Sequence, residues 1–262
     1  MNRANLPTPG FARTLRESER TLVGTWVKIP SVETVEILAI AGFDFVVVDL
    51  EHAPLDLQSA YTATVVAQSN GMSVLVRVAD RSGSQLQRML DSGVDGVLVP
   101  RVSTVAEAET AAAGMTFAPD GDRGNGSTSR AGRWGAADLG SYLARGTDVL
   151  RAVQLEDRGA LEQADAILDV AHLNGVFLGM GDLQLSSGLQ QGDPTITALV
   201  DRLLAASAER GIPVGTAVQT AEQVVAAAQR GFSFVMAGND TGFLRAAASG
   251  LVSDVRSRLD DA

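Results

Sequence analysis

Short apolar runs alternate with longer helical patterns along almost the whole chain. The short runs are continuous stretches of Val, Ile, Leu and Phe, as expected for strands that are buried on both faces. Several helical patterns end in a glycine just before the next apolar run, where a helix C-cap needs a positive φ. These glycines are Gly42, Gly93, Gly211 and Gly231.

The pattern predicts eight units, each a strand followed by a helix. The predicted strands are TLVGTWVKI, FDFVVVDLE, SVLVRV, DGVLVP, VLRAVQLE, LNGVFLG, IPVGTAV and FSFVMAG. The predicted helices are SVETVEILAIAG, the segment 57–69, SGSQLQRMLDSG, STVAEAETAAAGM, RGALEQADAILDV, ITALVDRLLAASAERG, TAEQVVAAAQRG and FLRAAASGLVSDVRSRL, with one more near the N-terminus. Eight such units favour an α/β fold, a closed (β/α)8 TIM barrel rather than a doubly wound sheet. No change in composition marks a second domain, so we expect residues 1–262 to form one barrel domain with an extra N-terminal helix.

Composition and charge narrow the classes of function. The chain is 45% apolar and 20% charged, an ordinary globular balance, and its net charge of −10 disfavours nucleic acid and anionic membranes as partners. It contains no cysteine, which excludes disulfides, thiolate metal sites and a cysteine nucleophile. The polar opening segment and the lack of a long apolar run favour a cytoplasmic location.

Polar side chains fall at the predicted C-terminal ends of the strands, the end of a barrel that faces the active site. These residues are Asp49, Glu51, His52, Arg77, Glu156 and Asp182. Glu156 and Asp182 come from neighbouring strands, and two carboxylates with open positions suit a hard cation such as Mg²⁺ or Mn²⁺. The alternative is that each caps the following helix or pairs with an arginine such as Arg158. Because Glu156 and Asp182 lie at the same predicted end of the barrel as Arg77, a metal site is favoured over capping or pairing.

His52 and Arg77 are the candidate acid–base and oxyanion groups. Asp49 lies three residues before His52, so we expect it to orient the imidazole. An arginine aimed at an oxyanion is what enolate chemistry requires. The alternatives are that His52 is a solvated loop residue and that Arg77 braces the barrel mouth.

Five segments in order and spacing resemble the HpcH/HpaI aldolases, class II pyruvate aldolases related to the citrate lyase β-subunit. The segments are AGFDFVVVDLEHAPLD, VLVRV, LDSGVDGVLVP, QLED and VFLGMGDL, and the likeness runs from about residue 24 to residue 238. The resemblance implies reversible aldol cleavage of 2-oxo-4-hydroxy acids to an aldehyde and pyruvate, or a close 2-oxo acid such as hydroxypyruvate. It also implies a Mg²⁺, Mn²⁺ or Co²⁺ ion held by Glu156 and Asp182.

The resemblance further implies roles for individual residues. Arg77 binds the 2-oxo oxygen, and His52, assisted by Asp49, is the acid–base group. Trp26 matches a pocket tryptophan, and the backbone around Gly181 and Asp182 matches the place that receives the pyruvate carboxylate.

The resemblance also implies a homo-oligomer, a hexamer built as a trimer of dimers with active sites near the subunit interfaces. Asp91 matches an acid at that interface. The irregular Arg-rich stretch 117–135, which includes Arg123, is expected to serve a neighbouring site, because long loops in compact domains are usually functional or mobile.

The chain departs from the family pattern near the predicted carboxylate pocket. Met180 stands where the family usually has Pro, Gly181 where it often has Ala, and Gln184 where a Ser is common. The small Ala217 stands where a bulkier apolar residue can limit substituents on the nucleophile. These departures bear on the substrate range rather than on the metal chemistry.

Three other functions remain open from the sequence. A Schiff-base aldolase would use Lys28, the only lysine. An acyl-CoA lyase of the citrate or malyl-CoA type would need a groove for the nucleotide, for which Arg123, Arg130 and Arg133 are the candidates. A metal-free barrel could serve as a binding or assembly module, although the full set of polar residues disfavours it.

Overall fold

The computed structural model describes residues 10–190 and 192–261. In this part of the chain, eight parallel strands close into a barrel in sequence order, and β8 pairs with β1. The strands are β1 (Leu22–Val27), β2 (Phe45–Asp49), β3 (Ser73–Arg77), β4 (Gly96–Val99), β5 (Leu150–Leu155), β6 (Gly175–Leu178), β7 (Val214–Val218) and β8 (Phe234–Asn239). The predicted TIM barrel is therefore confirmed.

Helices surround the barrel and follow each strand. They are α1 (Phe11–Glu17), α2 (Val32–Ile40), α3 (Leu57–Ser69), α4 (Gly83–Asp91), α5 (Val105–Met115), α6 (Leu139–Asp148), α7 (Arg158–Glu162), α8 (Ala164–Leu168), α9 (Met180–Ser187), α10 (Pro194–Arg210), α11 (Ala221–Arg230) and α12 (Asp240–Asp260). The four glycines predicted as C-caps have φ values of 91°, 82°, 64° and 103°. The helix predicted after β5 is divided into α7 and α8 at Gln163, whose φ of −98° and ψ of 8° lie outside the helical range.

The barrel interior is filled by side chains that alternate along the strands. The inward cluster contains Leu22, Trp26, Phe45, Val47, Leu75, Leu98, Leu150, Ala152, Phe177, Phe234 and Met236. Helix α1, the predicted extra N-terminal helix, closes the N-terminal end of this core. The ring of Phe11 is fully buried there, 4.8 Å from the ring of Phe45 and 5.7 Å from that of Phe234. The C-terminal end of the barrel is thus the end where polar side chains replace apolar ones.

The C-terminal helix α12 extends away from the barrel after its first turn. Its apolar side chains are largely exposed, with 66% of Leu251 and 70% of Leu259 accessible. The outer faces of α2 and α11 also carry exposed apolar residues, including Ile37, Ile40 and Val225. Within the part of the chain that the structure describes, no helix combines the length and apolar content that a membrane crossing needs.

Candidate active site

Arg77, at the end of β3, lies at the C-terminal mouth of the barrel and is held by side chains of β1 and β2. It is the register partner of Asp49, and the two side chains are almost fully buried. Nε of Arg77 donates to Oδ1 of Asp49 at 2.9 Å, and Nη2 donates to Oδ2 at 2.8 Å. The guanidinium also lies 4.3 Å from the centre of the Trp26 ring on β1. A bidentate carboxylate and an aromatic face together fix its orientation.

The Asp49 carboxylate contacts several groups at the mouth. Besides Arg77, it accepts hydrogen bonds from the Lys28 ammonium and from the backbone N–H groups of Glu51 and His52. Burial alone would raise the pKa of Asp49, but the hydrogen bonds and charges of Arg77 and Lys28 outweigh it and hold that pKa well below its usual value. Asp49 is therefore ionised.

The contact between Asp49 and His52 differs from the one we expected. Oδ1 of Asp49 accepts from the backbone N–H of His52 at 3.2 Å, because the chain turns over the carboxylate directly after β2. The imidazole is about half exposed, and its Nε2 lies 3.7 Å from Oε2 of Glu51. Asp49 thus places the loop that carries His52, while Glu51 is the acid beside the ring.

Glu156 follows the last residue of β5 and is 7% exposed. Its Oε1 accepts from the backbone N–H of Arg101 at 2.9 Å, and its Oε2 accepts from the side-chain amide of Gln154. Burial, and then the negative charges of Asp182 and Glu51, raise the pKa of Glu156 to about 7. Three acids therefore lie close enough to repel one another in a partly desolvated site.

Gly179 makes room for Glu156 at the end of β6. A Cβ atom on Gly179 would lie 2.7 Å from Cβ of Glu156 and 2.9 Å from its Oε2. Helix α9 begins at the next residue with no side chain capping its first turn, which contains Asp182. Around Gly181 no heavy atom lies within 4 Å of an added Cβ. The predicted carboxylate position is therefore an open helix N-terminus, which favours anions.

The acids at this mouth fit a divalent cation with an incomplete protein ligand set. Within the described residues, no group of three or more His, Cys, Asp or Glu side chains is arranged to hold a metal. A cation on Glu156 and Asp182 would therefore take its other ligands from water or substrate, as hard cations commonly do. The buried Oε2 of Glu51 accepts no hydrogen bond within the described chain, so Glu51 adds negative charge beside this pair that only the nearby guanidinium groups of Arg77 and Arg101 offset.

Ala217 lies on β7 and is half-buried. It lines a cleft that also includes Gly181 and Gln184 from α9 and Gln223 from α11. Because Gly181 also lines this cleft, the cleft reaches the first turn of α9.

Asp91 and Arg123 lie at the opposite end of the barrel from Glu156. Asp91 ends α4, and its Oδ1 accepts from Nη2 of Arg123 at 3.0 Å. The Arg123 side chain is buried, with its guanidinium 4.1 Å from the centre of the Phe117 ring. In a single chain these two residues do not join the mouth, because α4 runs from the C-terminal to the N-terminal end of the barrel.

Two residues at the mouth were missed by the sequence reasoning, and a third, Glu51, was noted there without a role. Gln154 lies two positions before Glu156, so the two-residue period of a strand could have placed it on the same inward face. Arg101 adopts a φ of 56°, and its Nε lies 2.9 Å from Oε1 of Glu51. No pattern around Arg101 signals that conformation.

The residues that a Schiff-base aldolase or an acyl-CoA lyase would need make other contacts in this structure. The Lys28 ammonium is paired with Asp49, so it is not the free amine that a Schiff base needs. Arg130 donates to Oε1 of Gln68 at 2.7 Å and to the backbone of Ser92 at 3.2 Å. The stretch 117–135 that was the candidate nucleotide groove lies at the N-terminal end of the barrel, away from the mouth.

Comparisons with known proteins agree with the fold and identify the family. A model of the HpcH/HpaI aldolase/citrate lyase family matches residues 22–247. The chain is 31% identical over 247 residues to a hydroxypyruvate/pyruvate aldolase of Sagittula stellata, covering 93% of this chain and 96% of that protein. It is 33% identical over 244 residues to a 2-keto-3-deoxy-L-rhamnonate aldolase of Shigella sonnei, covering 90% and 89%. A crystal structure of an HpcH/HpaI aldolase/citrate lyase family protein from Burkholderia cenocepacia matches with a TM-score of 0.85 at 26% identity, covering 94% and 98%.

Proposed function

Because the chain belongs to the HpcH/HpaI aldolase/citrate lyase family, we propose that it is a divalent-metal-dependent aldolase. Its reaction is the reversible cleavage of 2-oxo-4-hydroxy acids to an aldehyde and pyruvate, or a close 2-oxo acid such as hydroxypyruvate. The observation that carries this proposal is the buried Glu156 beside Arg77, whose pKa is raised to about 7 by burial and by the negative charges of Asp182 and Glu51. A bound cation would offset that negative charge, and the arginine would stabilise an enolate.

Glu156 and Asp182 are the proposed ligands of a Mg²⁺, Mn²⁺ or Co²⁺ ion. Such an ion, when bound, supplies Lewis acidity to the 2-oxo acid. Glu156 is held for this role by the backbone of Arg101 and the amide of Gln154. Asp182 sits in the first turn of α9, on the neighbouring strand–helix unit.

Arg77 donates to the 2-oxo oxygen, and its hydrogen bonds strengthen as negative charge develops there. Trp26 packs against the guanidinium and keeps it directed at the mouth. The first-turn N–H groups of α9, around Gly181 and Asp182, bind the carboxylate of the 2-oxo acid. Ala217 leaves room for a substituent on the carbon that becomes the nucleophile.

His52 moves the proton of the C4 hydroxyl. Its Nε2 takes that proton during cleavage and returns it during synthesis. Oε2 of Glu51, 3.7 Å away, stabilises the imidazole while it carries the proton. Because the ring is half exposed, the hydroxyl reaches it from the open mouth.

We propose that the whole chain acts as one barrel domain within a homo-oligomer, a hexamer built as a trimer of dimers. The exposed apolar side of α12 and the exposed residues of α2 and α11 support an extensive contact between subunits. Asp91 and Arg123, remote from the mouth in one chain, would then serve the mouth of a neighbour.

The proposal is tested by metal removal and by an assay for enolate formation. Chelation with EDTA followed by addition of Mg²⁺, Mn²⁺ or Co²⁺ should abolish and then restore exchange of the pyruvate methyl protons, followed by NMR. Exchange that persists after exhaustive chelation contradicts the metal role. Borohydride with pyruvate should leave no adduct on Lys28, and a thioester panel should give no turnover.

A further inference from the structure

Lys28 links the end of β1 to two groups at the mouth. Its Nζ donates a hydrogen bond to Oδ2 of Asp49 and another, at 3.3 Å, to the backbone carbonyl of His52. Its side chain is 22% exposed, so most of its length is packed. One ammonium therefore joins the end of β1 to the end of β2 and to the loop that follows β2.

The backbone at Lys28 is fixed as well. The N–H groups of Lys28 and Ile29 both donate to Oδ2 of Asp240 at 2.9 Å. Asp240 is itself buried, with 4% of its surface accessible. The side chain of Lys28 therefore starts from a fixed backbone position, and its ammonium is held by Asp49 and the His52 carbonyl.

Lys28 and Arg77 share the single negative charge of Asp49. Nη1 of Arg77 also lies 3.3 Å from Oε2 of Glu51, so Lys28 and Arg77 together balance the charges of Asp49 and Glu51. Without Lys28, this cluster would be more negative by one charge. Less negative charge beside the 2-oxo oxygen favours the enolate over the uncharged ketone, because the interaction grows as charge develops.

The loop that carries His52 is held from two sides. The backbone N–H of His52 donates to Asp49 at 3.2 Å, and the backbone carbonyl of His52 accepts from Lys28. The imidazole is about half exposed, so packing of the ring itself supplies little restraint. The backbone contacts therefore decide where the proton acceptor stands.

We propose that Lys28 is a positioning residue for the aldol reaction: it orients the Asp49–Arg77 pair, offsets negative charge beside that pair, and holds the His52 loop. This inference rests on the proposed aldolase function. In this role Lys28 forms no covalent bond to the substrate, in contrast to a Schiff-base lysine.

Two variants of Lys28 test this role. Lys28→Met removes the ammonium and keeps an unbranched stem, whereas Lys28→Arg keeps the charge and the donors. We expect Lys28→Met to lower kcat for aldol cleavage, and the rate of pyruvate proton exchange, by about 10–100-fold, with metal affinity unchanged. Lys28→Arg should recover most of both rates, because a guanidinium can bond to Asp49 but cannot form a Schiff base.

A matched control separates positioning from general destabilisation. Arg145 lies 3.8 Å from the buried Asp95 at the opposite end of the barrel, so Arg145→Met also removes a cation from a buried acid. Its kcat should stay at the wild-type value even if the protein unfolds at a lower temperature. A wild-type kcat in Lys28→Met, or an equal loss in Lys28→Met and Lys28→Arg, overturns the inference. If instead the wild-type protein shows no metal-dependent exchange at all, the proposed function itself fails.

Discussion

Asp49 and Arg77 are register partners on β2 and β3, and their side chains meet in two hydrogen bonds of 2.9 and 2.8 Å. Neighbouring parallel strands place both residues at the same end of the barrel, and both point inward. The bidentate contact uses one edge of the guanidinium. Nη1 remains on the other side, 3.3 Å from Oε2 of Glu51, so a donor is directed into the mouth.

This geometry predicts the effect of replacing Arg77. Arg77→Ala should lower kcat by about 10²–10³-fold, because an oxyanion donor is lost. Arg77→Lys should recover little of that loss, since an ammonium cannot form both bonds to Asp49. Steady-state kinetics of aldol cleavage measure the effect, and circular dichroism checks the fold. Arg202→Ala is the control, because Arg202 pairs with Asp165 between the outer helices α10 and α8. Near-wild-type turnover in Arg77→Ala would rule out the assigned role.

His52 should be separable from metal binding. We expect His52→Ala to lose aldol cleavage while Mn²⁺ affinity, measured by titration calorimetry, is largely kept, because the proposed ligands are Glu156 and Asp182. The other histidine provides the control. His172 has a φ of 64°, so His172→Asn, a residue that tolerates this conformation, should leave both quantities unchanged. A parallel loss of metal affinity in His52→Ala would contradict the assignment.

Gly179 should control metal affinity through Glu156. In Gly179→Ala the new Cβ would lie 2.7 Å from Cβ of Glu156, so the carboxylate must move. We expect metal affinity to fall by about 10–100-fold, as for other residues that place a ligand. Gly83→Ala is the matched control, because an added Cβ there meets no atom within 4 Å. Equal affinities for the two variants, again by calorimetry, would show that Glu156 is not a ligand.

The apolar side of α12 should determine the oligomeric state. Leu251→Asp places a charge on a residue that is 66% exposed in a single chain, so it should leave the fold of one subunit intact and lower the mass in solution. Light scattering after size-exclusion chromatography measures that mass. Ser253→Asp on the same helix is the control for added charge. An unchanged mass in Leu251→Asp would place the subunit contact elsewhere.

The barrel and the chemical class were predictable because the strands are nearly pure apolar runs and their C-terminal ends carry the polar residues. The family model confirms the predicted HpcH/HpaI family, and the aldolase relatives confirm the predicted class, a carbon–carbon lyase. The site roles of His52, Arg77, Glu156 and Asp182 stay predictions, although Arg77 and Glu156 lie together at the mouth as the strand ends indicated.

Other features depend on contacts that no local pattern encodes. Helix α6 was not predicted because Gly140 and Gly146 are weak helix formers, and the cap that starts it depends on Asp138 accepting from the backbone of Ser141. The three-residue spacing of Asp49 and His52 suggested a contact between side chains. The chain instead turns so that backbone N–H groups point at the carboxylate, and tertiary packing decides between the two.

The stability of the fold should depend on pH through Asp95. This residue is fully buried, and burial raises its pKa to about 6, although a hydrogen bond from Gln68 and the charge of Arg145 oppose the shift. The usual value is 3.8, so the folded protein binds this proton more tightly than the unfolded chain does. The stabilising contribution is therefore complete below about pH 3.8 and is lost as the pH rises through about 6.

Asp95→Asn removes the titrating group and keeps an acceptor for Gln68 and the backbone of Val74. Urea denaturation should show the free energy of unfolding of Asp95→Asn rising relative to wild type between pH 4 and pH 7, by up to about 3 kcal/mol at about 1.4 kcal/mol per pKa unit. A difference between the two proteins that is the same at both pH values would show that Asp95 does not titrate in this range.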